Sequence, residues 1–531
     1  MDGPNIHEPR LERVLRKQGF VLPRASETDR DIPVVRFPQW YSCPQCKRLA
    51  RHGDFGGPHD TKCPVDLATL VPSRFVVACP KGHIDDFPYF HWVHKGTAPT
   101  DDVHYLSISA VGASAALSDI VVSCSCGKGS TMDGAFSRDA LREVRWCTGA
   151  RPWLGDKVEC KEIPRTLQRS ASNVYFTDPR SAISIPPWSE GVYKIINNWY
   201  NVLEHVPDEA LYPTINGMLH GKKLEYSVED LVTAVKQRRG SAGDDGDEES
   251  DQLKEQEYQA LVHGKREIGR DQDFVCVPAA GDQVGPQWFE QVMLVKKLRE
   301  VRVLESFTRL HPSTPAEPDR NAPLSRDELP WLPGIEVLGE GIFLRIDGNR
   351  LSEWEHHSHI KHRADKVNRR YAQRFAHFGT APDRLITPRL LLIHTLAHVL
   401  INQWSLDCGY PAASLRERLY VDHSMAALLI YTATSDSAGS LGGVVAQGDP
   451  DRLMESLREG ITNAAWCSAD PLCIEADAAG VDSLNLAACH ACVLLPEVSC
   501  ENANTLLDRA LLVGTPDLPD LGFFADLISE A

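Results

Sequence analysis

Apolar positions along the chain recur at several periods, and the changes of period mark the expected elements. EPRLERVLRKQGF (8–20) spaces its apolar residues for a short charged helix, followed by a polar linker ending at Pro33. Short β-rich runs such as RFVVAC and SDIVVSCSC then alternate with Pro- and Gly-rich loops from about 36 to 165. SAISIPPW (181–188) opens helical patterns that continue to about 235. QWFEQVMLVKKLREVRVLESF (287–307) has the apolar spacing of a helix, and GIEVLGEGIFLRID (334–347) reads as a hairpin turning at Gly-Glu-Gly. EHHSHIKHRADKVNRRYAQRFAHF (355–378) reads as a basic helix. PRLLLIHTLAHVLINQWSLDCG (388–409) is apolar nearly all round and is expected to be a buried helix. RERLYVDHSMAALLIYTATSDS supplies one or two strands, a Gly-rich turn (Ala438–Gly443) leads into the helix DPDRLMESLREGITNAAW, and NTLLDRALLVG makes a last short helix.

This pattern implies a mixed α+β, multidomain protein carrying several small zinc-ribbon-like modules. The expected segments are a helix and linker (1–35), a cysteine-rich region (36–165), a mixed α/β middle (166–380) and a C-terminal zinc-binding domain (381–531). Inside the middle segment, GSAGDDGDEESD (240–251) is too acidic and too polar to pack, and is expected to form a mobile insertion. No repeat of fixed period is present. No apolar run reaches the roughly 18 residues that span a bilayer, and the opening residues lack the apolar core of a secretory signal. A cytoplasmic protein without membrane contact is expected.

The net charge of −17 excludes a uniformly basic coat for nucleic acid, though not a basic face on an acidic body. Such a face is available at Lys361, Arg363, Lys366, Arg369, Arg370 and Arg374, with Tyr371 and Phe375 available for stacking.

Fifteen cysteines in a reducing compartment point to zinc, because they are clustered and only Cys276 stands alone. Cys473, Cys489, Cys492 and Cys500 offer four thiolates around a Cys-x2-Cys knuckle and leave no place for water, as in a structural site. Cys467 is a spare beside them. Cys43 and Cys46 form a second knuckle, for which Cys63, Cys79 and His83 compete for two places, with Cys63 and Cys79 preferred. Cys124, Cys126, Cys147 and Cys160 form a third set. About three zinc ions follow from this count.

Other patterns carry less chemistry. Asp85 and Asp86 are adjacent and so point apart, which suits turn and capping roles better than a carboxylate dyad. GKGST fails as a phosphate loop, since Lys128 is followed by Gly129 rather than Ser or Thr. His394 and His398 share a helix face with Asn402 and Ser405, but Thr395 stands where a metalloprotease needs Glu, so a hydrogen-bonded seam is expected. SDSAGSLGG lacks the order of a dinucleotide loop. No catalytic residue and no nucleotide-binding loop is nominated, and no small-molecule substrate is implied.

RFPQWYSCPQC, LVPSRFVVACPKGHIDDFPYFHWVH and SAISIPPW resemble the DrmB family, core components of the bacterial anti-phage system DISARM. LIHTLAHVLINQWSLDCGYPAASLRERLY, SDSAGSLGG and LNLAACHACVLLPEVSCE extend the resemblance, and this half is also similar to the zinc-binding domain of MrfA-type helicases. The resemblance implies a partner for a DrmA-type helicase/ATPase, within a heteromeric complex that binds DNA and restricts phage. It also implies that the family's zinc cysteines correspond to Cys473, Cys489, Cys492 and Cys500. The resulting expectation is a non-catalytic, zinc-binding, helicase-associated subunit that meets DNA through the complex. Its rival is a metal-dependent nuclease or hydrolase built on His394, His398 and an acid such as Asp436.

Overall fold

A computed structural model describes residues 4–23, 34–97, 104–111, 116–219, 226–242, 250–267, 272–279, 288–311, 318–377, 381–432, 442–480 and 483–529. The chain divides into two compact units, each drawn from separated stretches of sequence. One comprises Met1–Leu22, Ser181–Val303 and Pro330–Ala531, and the other Pro23–Arg180 and Leu304–Leu329. Seven residues of the acidic insertion (243–249) lie outside the described residues, between the helices Val228–Ala242 and Ser250–His263.

The larger unit is organised by a sheet whose path runs Phe176–Ile183, Phe289–Thr308, Leu332–Ile346, Ala426–Thr432, Leu415–Val421. Of the segment expected to be helical, residues 289–307 belong to the 20-residue strand Phe289–Thr308, antiparallel to Leu332–Ile346. The misleading signal has a cause. Register shifts fall between Phe289 and Gln291 and between Val295 and Leu298. Each bulge inserts an extra residue and resets which side chains face inward. The bulges put Phe289 with Val292 on one face and Val295 with Leu298 on the other, and because all four are buried their spacing of three imitates a helix. The Gly-Glu-Gly hairpin is likewise not a turn, because Leu332–Ile346 runs through it as one strand. A Cβ on Gly339 would lie 2.0 Å from the Thr432 carbonyl oxygen, and one on Gly341 2.4 Å from that of Ile430. Those glycines let neighbouring strands approach closely.

Strand parity then sorts the side chains. Phe343, Tyr420, Leu429 and Tyr431 join Tyr258 and Leu261 in one apolar cluster. The helix Pro388–Cys408 packs on the strands Leu415–Val421 and Ala426–Thr432. This helix forms as its apolar sequence predicts: Thr387 caps its start through its side chain, and Gly409, at φ 69°, ends it. Leu391, Leu392, Leu396, Ala397, Leu400 and Trp404 are fully buried along it. Arg418, inside the sheet, donates two hydrogen bonds to Glu257, at 2.6 and 2.9 Å. Glu257 also accepts from the Ile183 backbone amide (2.9 Å) and the Tyr420 hydroxyl (3.2 Å).

The smaller unit contains a six-stranded sheet in the order Val71–Pro72, Trp40–Ser42, Arg48–Arg51, Leu106–Ala110, Ile120–Cys124, Gly129–Thr131. A three-stranded sheet (Arg165–Gln168, Phe75–Ala78, Ile84–Asp86) and the hairpin Ala150–Arg151/Asp156–Lys157 lie alongside it in the chain. Its main core is aromatic, with Trp40, Phe75, Phe87 and Tyr89 packed together. The strands are short, and the turns between them carry the cysteines.

Truncating one partner of the buried Arg418–Glu257 pair strands the other charge. Glu257→Ala should therefore cost about 3–5 kcal/mol and lower the denaturation midpoint of the larger unit. Glu290→Ala, which removes an exposed partner of Arg345, should cost at most about 1 kcal/mol. Denaturant titration monitored by tryptophan fluorescence checks the contrast.

Candidate metal centres

Thirteen of the chain's cysteines gather, with histidines and carboxylates, into five groups of four whose ligand atoms lie within 4.8 Å of one another. A zinc ion with bonds of about 2.3 Å to sulfur spaces tetrahedral ligands about 3.8 Å apart, and somewhat less for nitrogen or oxygen. No sulfur pair comes near a disulfide, and all fifteen cysteines are free.

The first group is built from two copies of one turn. In Cys43-Pro-Gln-Cys46-Lys47, the Cys43 amide bonds to the Arg48 carbonyl, the Lys47 amide bonds to the Cys43 carbonyl, and Lys47 has φ 64°. In Cys63-Pro-Val-Asp66-Leu67, the amides of Cys63 and Leu67 bond to the carbonyls of Ala68 and Cys63, and Leu67 has φ 60°. Asp66 thus occupies the position of a fourth cysteine. Its carboxylate oxygens lie 3.2 Å from the Cys43 sulfur, and Cys46 and Cys63 are 3.7 Å apart. Although burial opposes it, hydrogen bonds from the Ala68 amide and the Cys43 and Cys46 thiols hold the Asp66 carboxyl below its usual range. The matched sequences CPQCK and CPVDL are the signal that would have nominated Asp66.

Cys79, expected with Cys43 and Cys46, belongs to a second group. Cys79-Pro-Lys-Gly-His83 makes a turn one residue shorter, in which the Cys79 amide bonds to the His83 carbonyl, the Gly82 amide bonds to the Cys79 carbonyl, and Gly82 has φ 76°. It places the Cys79 sulfur 3.4 Å from His83 Nδ1 and 4.0 Å from the Cys160 sulfur, while Cys147 is 3.7 Å from His83 Nδ1. Hydrogen bonding from the Cys79 thiol, then from His83, pulls Cys147 down to about 4. The hairpin Ala150–Arg151/Asp156–Lys157 bridges Cys147 and Cys160.

Cys124 and Cys126 are consequently not partners of Cys147 and Cys160. They meet His94 and His104, neither of which the cysteine spacing could nominate. His94 donates Nδ1–H to the Phe90 carbonyl (2.8 Å), which leaves Nε2 as an acceptor 3.4 Å from the Cys126 sulfur. His104 Nδ1 lies 3.3 Å from the Cys124 sulfur. The Lys128 backbone amide, with help from His94, lowers the Cys126 thiol to about 6. These contacts favour the thiolate, the form that binds metal, at Cys147 and Cys126, while Cys79, Cys160 and Cys124 are pushed up.

In the larger unit, Cys473, Cys489 and Cys492 are completed by Cys467, the residue left as a spare, and not by Cys500. The Cys467–Cys489, Cys473–Cys492 and Cys489–Cys492 separations are 3.5, 3.8 and 3.7 Å. A fully buried Arg509 braces this group by bonding to Asp470 and to the Ala464 carbonyl. Cys500 instead meets His394, His398 and Glu417. His394 Nε2 is 3.2 Å from the Cys500 sulfur and 3.1 Å from Glu417 Oε1, and His398 Nε2 is 3.6 Å from Glu417 Oε2. Burial would raise the Glu417 carboxyl, but the neighbouring imidazoles outweigh it and hold it far below the ordinary range. The expected polar seam therefore exists but is centred on a carboxylate and a thiol from elsewhere. Asn402 and Ser405 take no part in the group, and the Asp436 of the rival reading lies outside the described residues.

Other candidates fall into place. Asp86 accepts from the amides of Gln39 and Trp40 and is pushed up to about 6 by burial, while Asp85 accepts from Thr148, as befits turn roles. On the helix Ser358–His377, Arg363 is bound to buried Asp508 (2.6 and 2.8 Å) and Lys366 to Asp477. Lys361 and Arg369 are exposed, and Arg370 and Arg374 are half-buried. Tyr371 and Phe375 are buried and pack on each other, so they offer no stacking surface. Most of SDSAGSLGG (435–441) lies outside the described residues. Cys276 is a core thiol, which burial pushes up to about 12.

Known proteins share these features. A family model described as a domain of unknown function (DUF8724) matches residues 2–176, which include three of the groups. The model of the MrfA Zn-binding domain matches residues 396–493, a span that includes the four-cysteine group and stops short of Cys500. The DISARM protein DrmB of Bacillus paralicheniformis is 33% identical over 556 residues, covering 99% of this chain and 97% of its own. A likeness that runs nearly end to end at this level places the chain in the DrmB family of DISARM proteins.

Proposed function

We propose that this chain is a non-catalytic, zinc-bound cytoplasmic subunit of a DISARM defence complex, partnering a DrmA-type helicase/ATPase and helping it hold DNA. The observation that carries the reading is the closure of the cysteine-rich groups. Each supplies four protein ligand atoms, so a zinc ion there has no position left for a water or substrate, and its role is structural. Four zinc ions, one at each group apart from that of Cys500, replace the expected count of about three. They are held by Cys43, Cys46, Cys63 and Asp66; by Cys79, His83, Cys147 and Cys160; by His94, His104, Cys124 and Cys126; and by Cys467, Cys473, Cys489 and Cys492.

Zinc braces turns that bury too little apolar surface to hold themselves, and so presents a rigid surface to the partner. Phosphate contact, on the helix Ser358–His377, falls to exposed Lys361 and Arg369, because Arg363 and Lys366 are already engaged by carboxylates. Motor activity belongs to the partner. The nuclease reading draws little support from His394 and His398, whose side chains are fully buried against a carboxylate and a thiol.

Affinity isolation from the native host should recover a large helicase in stoichiometric amount, with DNA-stimulated ATPase activity. Recovery of the chain alone would refute the assignment, and metal-dependent cleavage of DNA by the pure chain would move the nuclease reading forward. Lys361→Glu with Arg369→Glu should weaken DNA retention by the complex, most visibly at low salt, and leave the melting temperature unchanged. For the zinc sites, elemental analysis should show one equivalent lost in Cys43→Ser/Cys46→Ser and in Cys489→Ser/Cys492→Ser. Asp66→Cys should retain its zinc, because it completes a four-thiolate site, whereas Asp66→Ala should bind it more weakly.

A further inference from the structure

The group formed by His394, His398, Glu417 and Cys500 is assembled from three separate parts of the larger unit. The histidines lie one turn apart on Pro388–Cys408, Glu417 comes from the strand Leu415–Val421, and Cys500 follows the short turn Glu497–Ser499. Both imidazoles are held in the same tautomer. His394 Nδ1 lies 3.2 Å from the Leu506 carbonyl and His398 Nδ1 2.7 Å from the Val493 carbonyl. A carbonyl oxygen only accepts, so each Nδ1 carries the proton. In the neutral rings both Nε2 lone pairs then point at the group.

What they face is also an acceptor. His398 Nε2 and Glu417 Oε2 are buried, 3.6 Å apart, and neither has a hydrogen-bond partner. The Cys500 sulfur receives the backbone amides of Asn502 and Asn504, each at 3.3 Å, an arrangement that suits a thiolate. Glu417 Oε1 receives the Glu501 amide at 2.9 Å. Four converging lone pairs without a cation among them are costly in a buried site. Protonating one histidine would satisfy one contact, but 3.6 Å is too long for a hydrogen bond between His398 and Glu417. A divalent cation satisfies all four. Its two positive charges balance one carboxylate and one thiolate, so the buried group becomes neutral overall.

We propose that His394 Nε2, His398 Nε2, Glu417 and Cys500 hold an additional divalent transition-metal ion, of the zinc class, separate from the four-cysteine site. Two imidazoles and a thiolate select against magnesium and calcium, which take oxygen ligands. With four protein ligands and both histidines fully buried, the ion staples the helix, the strand and the loop after Ser499 together. This proposal does not rest on the four cysteine-rich sites, because it shares no ligand with them.

The test compares the zinc content of full-length protein, purified without chelator, with that of Cys500→Ser and His398→Asn. Each variant should contain one equivalent less than the unsubstituted chain. It should also lose a further equivalent when Cys489→Ser/Cys492→Ser is added. Zinc content equal to the unsubstituted protein in both single variants would overturn the proposal, however many ions the other groups hold. Should the variants fail to fold, an anomalous difference map at the zinc edge from crystals of the unsubstituted protein decides the matter. A peak enclosed by the four ligand atoms is expected, and its absence beside a peak at the Cys467 group would refute the site.

Discussion

The structure depends on bringing thiolates and imidazoles from distant parts of the chain to within 4.8 Å of one another. The strands that lie wholly within the smaller unit are two to five residues long. Turns of that size bury little apolar surface, and their exposed backbone would otherwise favour the unfolded chain. Crowded sulfur atoms without a counter-charge would repel once ionised. A zinc ion bound there would reverse the sign of that interaction and turn the group into a crosslink. The repeated Cys-Pro turn prepares for it, because its amides and left-handed fifth residue orient the first ligand before the second turn arrives.

The larger unit manages its buried polar groups by strand parity. Glu417 and Arg418 are neighbours on Leu415–Val421, so they point to opposite faces. Arg418 meets Glu257 among the aromatic residues on one face, at 2.6 and 2.9 Å. Glu417 faces His394 and His398 on the other. A register slip of one residue would put the carboxylate against another carboxylate and the guanidinium against two imidazoles. The two polar groups therefore resist the same error in pairing, which is a penalty that apolar packing by itself imposes weakly.

In this member of the DrmB family, thirteen cysteines are committed to clusters with other ligand-type side chains. Each ligand set is drawn from side chains of a single unit. Where basic residues were expected to form one continuous phosphate-binding face, the fold has used part of them internally: Arg363 on Asp508 and Lys366 on Asp477. A charge run along a helix thus serves both packing and surface potential.

Much of this protein is legible in its sequence by itself. The buried helix Pro388–Cys408, the two strands after it, the mixed α+β character and the cysteine knuckles follow from local periodicity and from ligands that share one turn. The family resemblance, too, lies in contiguous residues. Pairing between turns is not legible, because spacing along the chain says which two ligands are adjacent and not which other turn they meet. Cys79 therefore joins Cys147 and not Cys43, Cys500 joins two histidines and not the other cysteines, and Cys467 takes its place. Asp66 is marked only by the likeness of CPVDL to CPQCK. His94, His104 and Glu417 carry no distinguishing local mark, since carboxylates and imidazoles are common on surfaces and only burial beside a thiol gives them a metal-binding character. The strand Phe289–Thr308 looks helical for a related reason: its bulges are set by the partner strand, and inward-facing parity is a property of the sheet and not of the segment.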